Sequence, residues 1–156
     1  MARTKALPKL KARTAYGLLS QVKQLILEEP KRYNQGIFIS KRSNGAYNPE
    51  EYPACGTIGC VAGWVTMLVD PREDEDMNWY WFEPTKIAQK ALGLEGYQCD
   101  LLFDGDAVDA LAGWKTPAEG TRAYARLGAR HITRFQKRYE KQLKAKKIAV
   151  RGTYDL

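Results

Sequence analysis

The sequence has few cysteines, one histidine and no long apolar run, and these shortages exclude several classes of protein. Its 156 residues include three cysteines, an odd number that is too small for a disulfide scaffold. No segment approaches the roughly 20 apolar residues of a membrane-spanning helix, and the basic first residues lack the apolar core of a secretory signal. We therefore expect a cytoplasmic protein without a membrane partner.

Apolar residues are nevertheless plentiful enough for a folded core. Hydrophobic side chains make up 44% of the chain and aromatic ones 11%, a content that excludes a disordered protein. The length fits one domain with tails. We predict a flexible basic arm over residues 1–13, a single α-rich domain over 14–147 and a C-terminal tail over 148–156.

The spacing of apolar residues predicts a mainly α fold: a compact single helical domain with at most a short two- or three-stranded sheet and a long C-terminal helix. The first helix should run from about Thr14, its N-cap, to Glu29, because Pro30 cannot continue it. The other predicted elements are a short strand over 35–40, a helix from Gly56 or Thr57 to about Val69, a helix opened by Pro84 or Thr85 and closed by Gly93, and one helical turn over 99–103.

The last predicted helix has the clearest start signal. The segment from Thr116 to Glu119 supplies an N-cap, a proline at the first helical position and an acid at the third. The apolar spacing then continues to about Lys146. Gly120 and Gly128 interrupt the pattern, each at a cost of up to about 1 kcal/mol.

Charge is segregated along the chain, whose net charge is +7. Residues 1–45 hold ten basic and two acidic side chains, residues 46–120 hold four and fourteen, and residues 121–156 hold eleven and two. Two arrangements fit this pattern. The basic ends pack on the acidic middle and neutralise it, or they lie side by side and attract an anionic partner.

Five arginines recur at intervals of four within the last predicted helix. We call the following residues the arginine row: Arg122, Arg126, Arg130, Arg134 and Arg138. Residues at this spacing are neighbours on a helix surface, where like charges are mildly destabilising. Salt bridges to the acidic middle of the chain would compensate in one interpretation. In the other, a phosphate-bearing ligand does so, because the guanidinium fork suits phosphate oxygens.

The segment Cys-Gly-Thr-Ile-Gly-Cys, residues 55–60, has a structural and a functional interpretation. Its cysteines are small buried hydrophobes in the first, which is common for free cysteine. In the second, Gly56, Thr57 and Gly59 expose backbone N–H groups at a helix start, which is a ready anion site.

A zinc site is the weakest hypothesis for the same segment. Its candidate ligands are Cys55, Cys60, Cys99 and His131, but the spacing lacks a second paired knuckle. His131 falls on the apolar face of the last helix, which favours a part-buried core residue. We expect neither a metal nor another cofactor. No recognisable nucleophile, base and orienting acid occur together, which favours a binding protein over an enzyme.

Four motifs resemble a family of small proteins from phages and bacteria. That family carries Cys-Gly-Thr-x-x-Cys-x-Ala-Gly, a Leu-Gly-Leu segment, a Leu-Phe pair and a terminal Thr-Pro helix. The corresponding segments here are Cys55–Gly63, Leu92–Leu94, Leu102–Phe103 and Thr116–Phe135. The resemblance covers residues 50–136 and implies a shared α-rich fold and a phage or bacterial origin, but no mechanism.

These observations favour a non-enzymatic protein that binds a phosphate-bearing small molecule or nucleotide. The first four arginines of the row would bind phosphates, the glycine-rich segment would add N–H donors, and Trp64 or Tyr124 would stack on a base. In a phage, such a protein would sequester a nucleotide signal of host immunity in the host cytoplasm. The alternatives are a nucleic-acid-binding accessory protein and a protein inhibitor of a host enzyme, and the residues define no oligomeric state.

Overall fold

A computed structural model of the chain describes residues 9–35, 39–40, 58–70 and 83–148. Helices make up most of this part, and two short strands pair antiparallel with Ile39 opposite Gly59. The prediction of a mainly helical domain with a short sheet and a long C-terminal helix is confirmed. The elements are α1 (Ala15–Glu28), β1 (Ile39–Ser40), β2 (Ile58–Gly59), α2 (Val61–Val69), α3 (Glu83–Leu92), α4 (Gly96–Phe103), α5 (Ala107–Leu111), α6 (Arg122–Arg138) and α7 (Glu140–Ala145).

The first helix forms where the sequence predicts it. The Thr14 hydroxyl accepts a hydrogen bond from the Gly17 N–H at 3.1 Å, which satisfies one of the unpaired donors of the first turn. Pro30 ends the α-helix and begins a single 3₁₀ turn. Six apolar residues of α1 are buried against the core, among them Leu18 and Val22, whereas Leu27 is exposed.

The two longest helices, α1 and α6, pack antiparallel. Near the end of α6, the Gln136 amide donates to the Tyr16 carbonyl at 3.0 Å and to the Ser20 hydroxyl at 2.8 Å, both near the start of α1. One turn further along α1, Lys23 Nζ donates to the Thr133 hydroxyl at 3.2 Å. All nine residues of α2 are buried, so this helix forms the centre of the core.

The second helix begins later than the sequence predicts. β2 occupies the residues just before it, and Cys60 is still extended, with ψ of −175°. The helix therefore starts at Val61 rather than near Gly56 or Thr57. Ile58 and Gly59, which the sequence assigned to the first turn of the helix, pair with β1 instead.

The last predicted helix is shorter than expected and is divided in two. Gly120 adopts φ of +75°, a left-handed conformation that cannot continue a right-handed helix. Thr121 then becomes the N-cap, and its hydroxyl accepts from the Tyr124 N–H at 3.2 Å. The predicted cap, Thr116, instead donates its hydroxyl to the Asp109 carboxylate. At the far end, Tyr139 leaves helical geometry and separates α6 from α7.

The described parts of the two basic segments lie side by side. Thr14 and Lys147 form an antiparallel bridge, and the Ile148 N–H donates to the Arg13 carbonyl at 3.0 Å. Gln21 of α1 ties back the preceding residues, since its amide donates to the Lys9 carbonyl at 2.7 Å. Residues 9–13 of the predicted arm therefore lie against α1. Within the described residues, no helix has the length and apolar character needed to cross a membrane.

Candidate functional site

The arginine row lies on the solvent side of α6, and all five of its side chains are exposed. The opposite side of the helix is buried against the core. Within the described ranges, no ion pair involves any of the five guanidinium groups. Salt bridges therefore do not compensate the repulsion along the row in this part of the chain.

A groove of about 460 Å³ opens between α4, α5 and α6. One wall is apolar and comes from α4 and α5, and the other comes from α6 and carries two arginines and the histidine. The lining residues are Leu101, Ala107, Ala110, Leu111, His131, Arg134, Phe135 and Arg138. The groove thus combines hydrophobic surface with positive charge.

Hydrogen bonds at the end of α4 fix the shape of this groove. The last carbonyls of a helix have no partner within it and must bond elsewhere. The Leu102 carbonyl receives two side chains: His131 Nε2 lies 2.9 Å away on the groove side, and Gln35 Nε2 donates from the core at 3.3 Å. Beyond the helix, the Asp106 N–H donates to the Asp104 carboxylate at 2.9 Å, and this turn leads into α5.

His131 is a neutral hydrogen-bonding group in this setting. Burial lowers the pKa of His131 and outweighs the raising effects of the Leu102 carbonyl and Asp104, while Arg134 lowers it further. A neutral imidazole facing a carbonyl must carry its proton on Nε2, so Nδ1 keeps a lone pair. This position agrees with the part-buried core residue that the sequence predicts.

Arg134 and Arg138 stand one helical turn apart at the cationic wall. The Arg138 guanidinium lies 5.4 Å from the centre of the Tyr139 ring, which is within the range of a cation–π contact. That ring in turn packs against Phe135, with 4.8 Å between the ring centres. An aromatic support of this kind limits where the Arg138 head group can lie.

Only part of the predicted phosphate-binding set reaches the groove. Arg134 lines it directly. Arg130, Arg126 and Arg122 continue along α6 away from it, and the last of these is about 18 Å from Arg134 along the helix axis. The structure therefore places the four predicted arginines on one helix but only one of them in the recess.

The two aromatic residues predicted to stack on a base are both in the core. Trp64 is 1% exposed, donates its indole N–H to the Arg32 carbonyl at 2.7 Å, and carries the Arg32 guanidinium 4.9 Å above its ring. The Tyr124 hydroxyl accepts from the Gln35 N–H at 3.2 Å, and its ring packs on Tyr33. Both rings are buried, so neither offers a free face on which a base could stack.

The glycine-rich segment is described only at its end. Gly59 lies in β2, two residues before α2 begins, and the first N–H of that helix, at Val61, donates to Gln35 Oε1 at 3.5 Å. Gly56 and Thr57 lie outside the described residues. Their role in anion binding stays a prediction.

The zinc hypothesis gains no support from the residues that the structure describes. No group of three or more His, Cys, Asp and Glu residues there is close enough to hold a metal ion. Cys60 and Cys99 are both buried, and burial raises the pKa of each thiol to about 11, so both are protonated near neutral pH. Cys55 lies outside the described ranges.

Sequence reasoning missed the apolar wall of the groove. Leu101 is 42% exposed, although leucine is more often a buried residue. Ala107 and Ala110 leave space because their side chains are small. The sequence signal for this wall was the polar turn between two short helical segments, the second of which carries small residues. Only the packing of α4 and α5 against α6 shows that these segments border a recess.

Comparison with protein-family models, curated proteins and solved structures gave no match to this chain. The resemblance to the phage and bacterial family stays a prediction.

Proposed function

We propose that the chain binds a phosphate-bearing small molecule of the nucleotide class in the groove between α4, α5 and α6, without transforming it. The observation that carries this proposal is the juxtaposition of Arg134 and Arg138 with an apolar wall in one recess. Both arginines are exposed and have no ion pair within the described residues. A ligand with an anionic and a flat apolar part matches both walls.

The size and chemistry of the groove support a nucleotide. Its volume of about 460 Å³ lies within the range of about 300–1,000 Å³ typical of small-molecule sites. Each arginine can bind phosphate oxygens through two parallel N–H donors. A base covering Leu101, Leu111 and Phe135 would remove apolar surface from water, which contributes about 25 cal/mol per Å².

The groove lacks the groups that catalysis on such a ligand would use. Its lining contains one titratable residue besides the arginines, His131, and no serine, threonine, cysteine or carboxylate. His131 Nε2 is engaged with the Leu102 carbonyl, so Nδ1 remains as an acceptor for a base amino group. Binding without chemistry is the simplest role for this set. In a phage, that role would be to sequester a nucleotide signal of host immunity.

Thermal shift and calorimetry with a panel of nucleotides test the proposal. The panel contains nucleoside mono- and triphosphates, cyclic dinucleotides, ADP-ribose and inorganic phosphate. A ligand at 100 times its Kd stabilises the fold by about 2.7 kcal/mol, which is a shift of several degrees in Tm at this size. We expect one nucleotide class to give this shift and inorganic phosphate to give a smaller one.

Charge-matched variants locate the site. Arg134→Glu with Arg138→Glu should weaken binding at least about tenfold, because hydrogen bonds to charged groups contribute roughly 1.5–3 kcal/mol each. Lys86→Glu with Lys115→Glu makes the same change in net charge at exposed positions outside the groove and should leave the affinity within about twofold. Ala110→Trp, which fills the recess, should also abolish binding. The proposal is wrong if no nucleotide binds or if the groove variants bind as the wild type does.

A further inference from the structure

The arginine row continues well beyond the groove. Each step of four residues advances about 6 Å along the helix axis and turns about 40° around it. Arg130 and Arg126 therefore follow Arg134 at successive steps of about 6 Å along α6. A mononucleotide anchored by Arg134 and Arg138 cannot also contact Arg126, so such a ligand leaves the rest of the row unused.

Within the described residues, no ion pair involves an arginine of this part of α6. From Arg122 to Ile148 the only acidic residue is Glu140, which is paired with Lys144. Lys137 and Lys141 are exposed and add two more positive charges beside the row. A surface of one sign, about 25 Å long for the 17 residues of α6, attracts a ligand that carries several negative charges in a line.

The spacing and the winding of the row fit an extended strand of phosphates. Neighbouring phosphates of an unstacked nucleic-acid strand are separated by a distance similar to one step of the row. The row turns gradually, so a flexible strand can follow it while successive arginines each contact a phosphate. The phosphates of a duplex are held in a rigid arrangement, so they would not follow the winding of the arginine row over several steps.

The groove indicates that the strand is single. Its apolar wall is open to a flat unpaired group at the end of the row, next to Arg134 and Arg138. A base inside a duplex is stacked and paired, so moving it into the groove is unfavourable, whereas a single strand presents its bases freely. The positive row and the apolar recess are then two parts of one surface.

We propose that the groove and the arginine row form one continuous site for a short single-stranded oligonucleotide. One nucleotide occupies the groove, and the phosphates that follow contact Arg134, Arg130 and Arg126 in turn. This inference rests on the proposed function, because it takes the groove as the nucleotide site and extends the ligand beyond it.

A length series of oligothymidylates tests the inference. Thymidine monophosphate and strands of two, four and six nucleotides are titrated into the full chain by calorimetry at about 50 and 200 mM salt. We expect the affinity to rise at least about tenfold from the monophosphate to the tetranucleotide. The salt dependence should steepen by about 0.7 in log K per log salt for each added phosphate contact on a single strand.

Two pairs of variants separate the groove from the row. Arg126→Glu with Arg130→Glu should weaken the tetranucleotide at least about tenfold and leave the monophosphate within about twofold, whereas Arg134→Glu with Arg138→Glu should weaken both. Arg126→Gln with Arg130→Gln repeats the test with a smaller change in charge, in case the glutamates disturb α6. The control is Lys86→Glu with Lys115→Glu.

Each outcome bears on one proposal in a defined way. If the monophosphate binds but affinity does not rise with length, the continuous site is wrong and the proposed function stands. If the tetranucleotide binds but is insensitive to the groove variants, the row acts without the groove and the inference is also overturned. A duplex with the same number of phosphates per strand is titrated in parallel, and equal affinity for it would contradict the single-strand preference. Absence of binding to every nucleotide would overturn the proposed function itself.

Discussion

The ring of Tyr33 lies directly on the backbone of Gly128 in the middle of α6. A β-carbon at residue 128 would stand 2.6 Å from Tyr33 Cζ and 2.7 Å from its hydroxyl oxygen, and closer still to Cε1. Real side chains do not approach to these distances, so only glycine fits. The residue that weakens α6 as an isolated helix is thus the one that lets the segment after α1 pack against it.

Replacing Gly128 with alanine should therefore destabilise the protein although alanine favours helix formation. The helix gains about 1 kcal/mol from the substitution, but overpacking costs typically 1–3 kcal/mol and more where the neighbour is a buried ring. Tyr33 is 1% exposed and cannot swing into solvent without opening the core. We expect a net loss of about 1–2 kcal/mol in urea unfolding.

Gly96→Ala is the matched control for this experiment. Gly96 is the first residue of α4, and a β-carbon there would meet no atom within 4 Å. Its substitution should leave the free energy of unfolding unchanged or raise it slightly. Equal stability of Gly128→Ala and the wild type would contradict the close packing of Tyr33.

Gln35 links several elements of the core through one buried amide. Its Nε2 donates to the carbonyls of Leu102 and Asp104, and its Oε1 accepts from the Tyr33 hydroxyl at 3.0 Å and from the Val61 N–H. Replacing it with leucine should cost about 2–4 kcal/mol, because each buried group that loses its partner costs roughly 1–3 kcal/mol.

An exposed glutamine provides the comparison for Gln35. Among the described residues, Gln24 donates only to Glu28 on the surface of α1, at 2.8 Å, so Gln24→Leu should change stability by less than about 0.5 kcal/mol. Urea unfolding of both variants measures the difference. A loss at position 35 no greater than at position 24 would show that the amide network is not needed.

The buried His131 should make stability depend on pH. Its pKa is lowered in the folded state, so the unfolded chain binds a proton at a higher pH than the folded chain does. The free energy of unfolding is therefore unaffected above pH about 7 and falls as the pH drops through about 6.5. Below the folded pKa, both states are protonated and the loss levels off.

His131→Gln removes this titration while keeping a donor near the Leu102 carbonyl. Carboxylates affect both proteins alike, so the informative quantity is the difference in Tm between the wild type and the variant. That difference should be constant above pH 7 and should change in favour of the variant between pH about 6.5 and 5. Parallel curves would contradict the assignment of a neutral, buried imidazole.

The uncompensated arginine row should lower stability at low salt. Arg130→Glu replaces two repulsive pairs, with Arg126 and Arg134, by two attractive ones, which should stabilise the protein by about 1 kcal/mol. Added salt screens the repulsion, so the Tm of the wild type should rise with moderate salt more than that of the variant. Lys115→Glu, outside any helix, is the control. Equal salt responses would contradict the cost of the row.

The sequence predicts the helices whose ends carry local signals. Thr14 caps α1 and Pro30 ends it, and Gly93 directly follows α3, as their positions indicate. The predicted start of the last helix is wrong because two threonines compete as N-caps. Local pattern favours Thr116, but the left-handed Gly120 leaves Thr121 as the residue that begins α6.

The candidate site is less predictable because it depends on packing between distant segments. The repeat of arginines marks the exposed side of α6 correctly, since all five side chains are exposed. Trp64 has an aromatic ring that could stack on a base, but it lies in the core beneath the Arg32 guanidinium. The apolar wall at Leu101 is created by the packing of α4 and α5 against α6. The apolar spacing within each helix does not predict how separate helices pack together.

The pairing of α1 with the end of the domain determines when this protein can fold during synthesis. Tyr16 bonds to Gln136 and Lys23 to Thr133, partners that are translated more than 100 residues later. Until they emerge from the ribosome, α1 can pack only on earlier elements such as α2 and α3, and the rest of its apolar side is open to chaperones and to aggregation. The contact between α1 and α6 therefore forms only after more than 100 further residues have been translated, and a nascent chain that stops before α6 leaves part of the apolar side of α1 exposed.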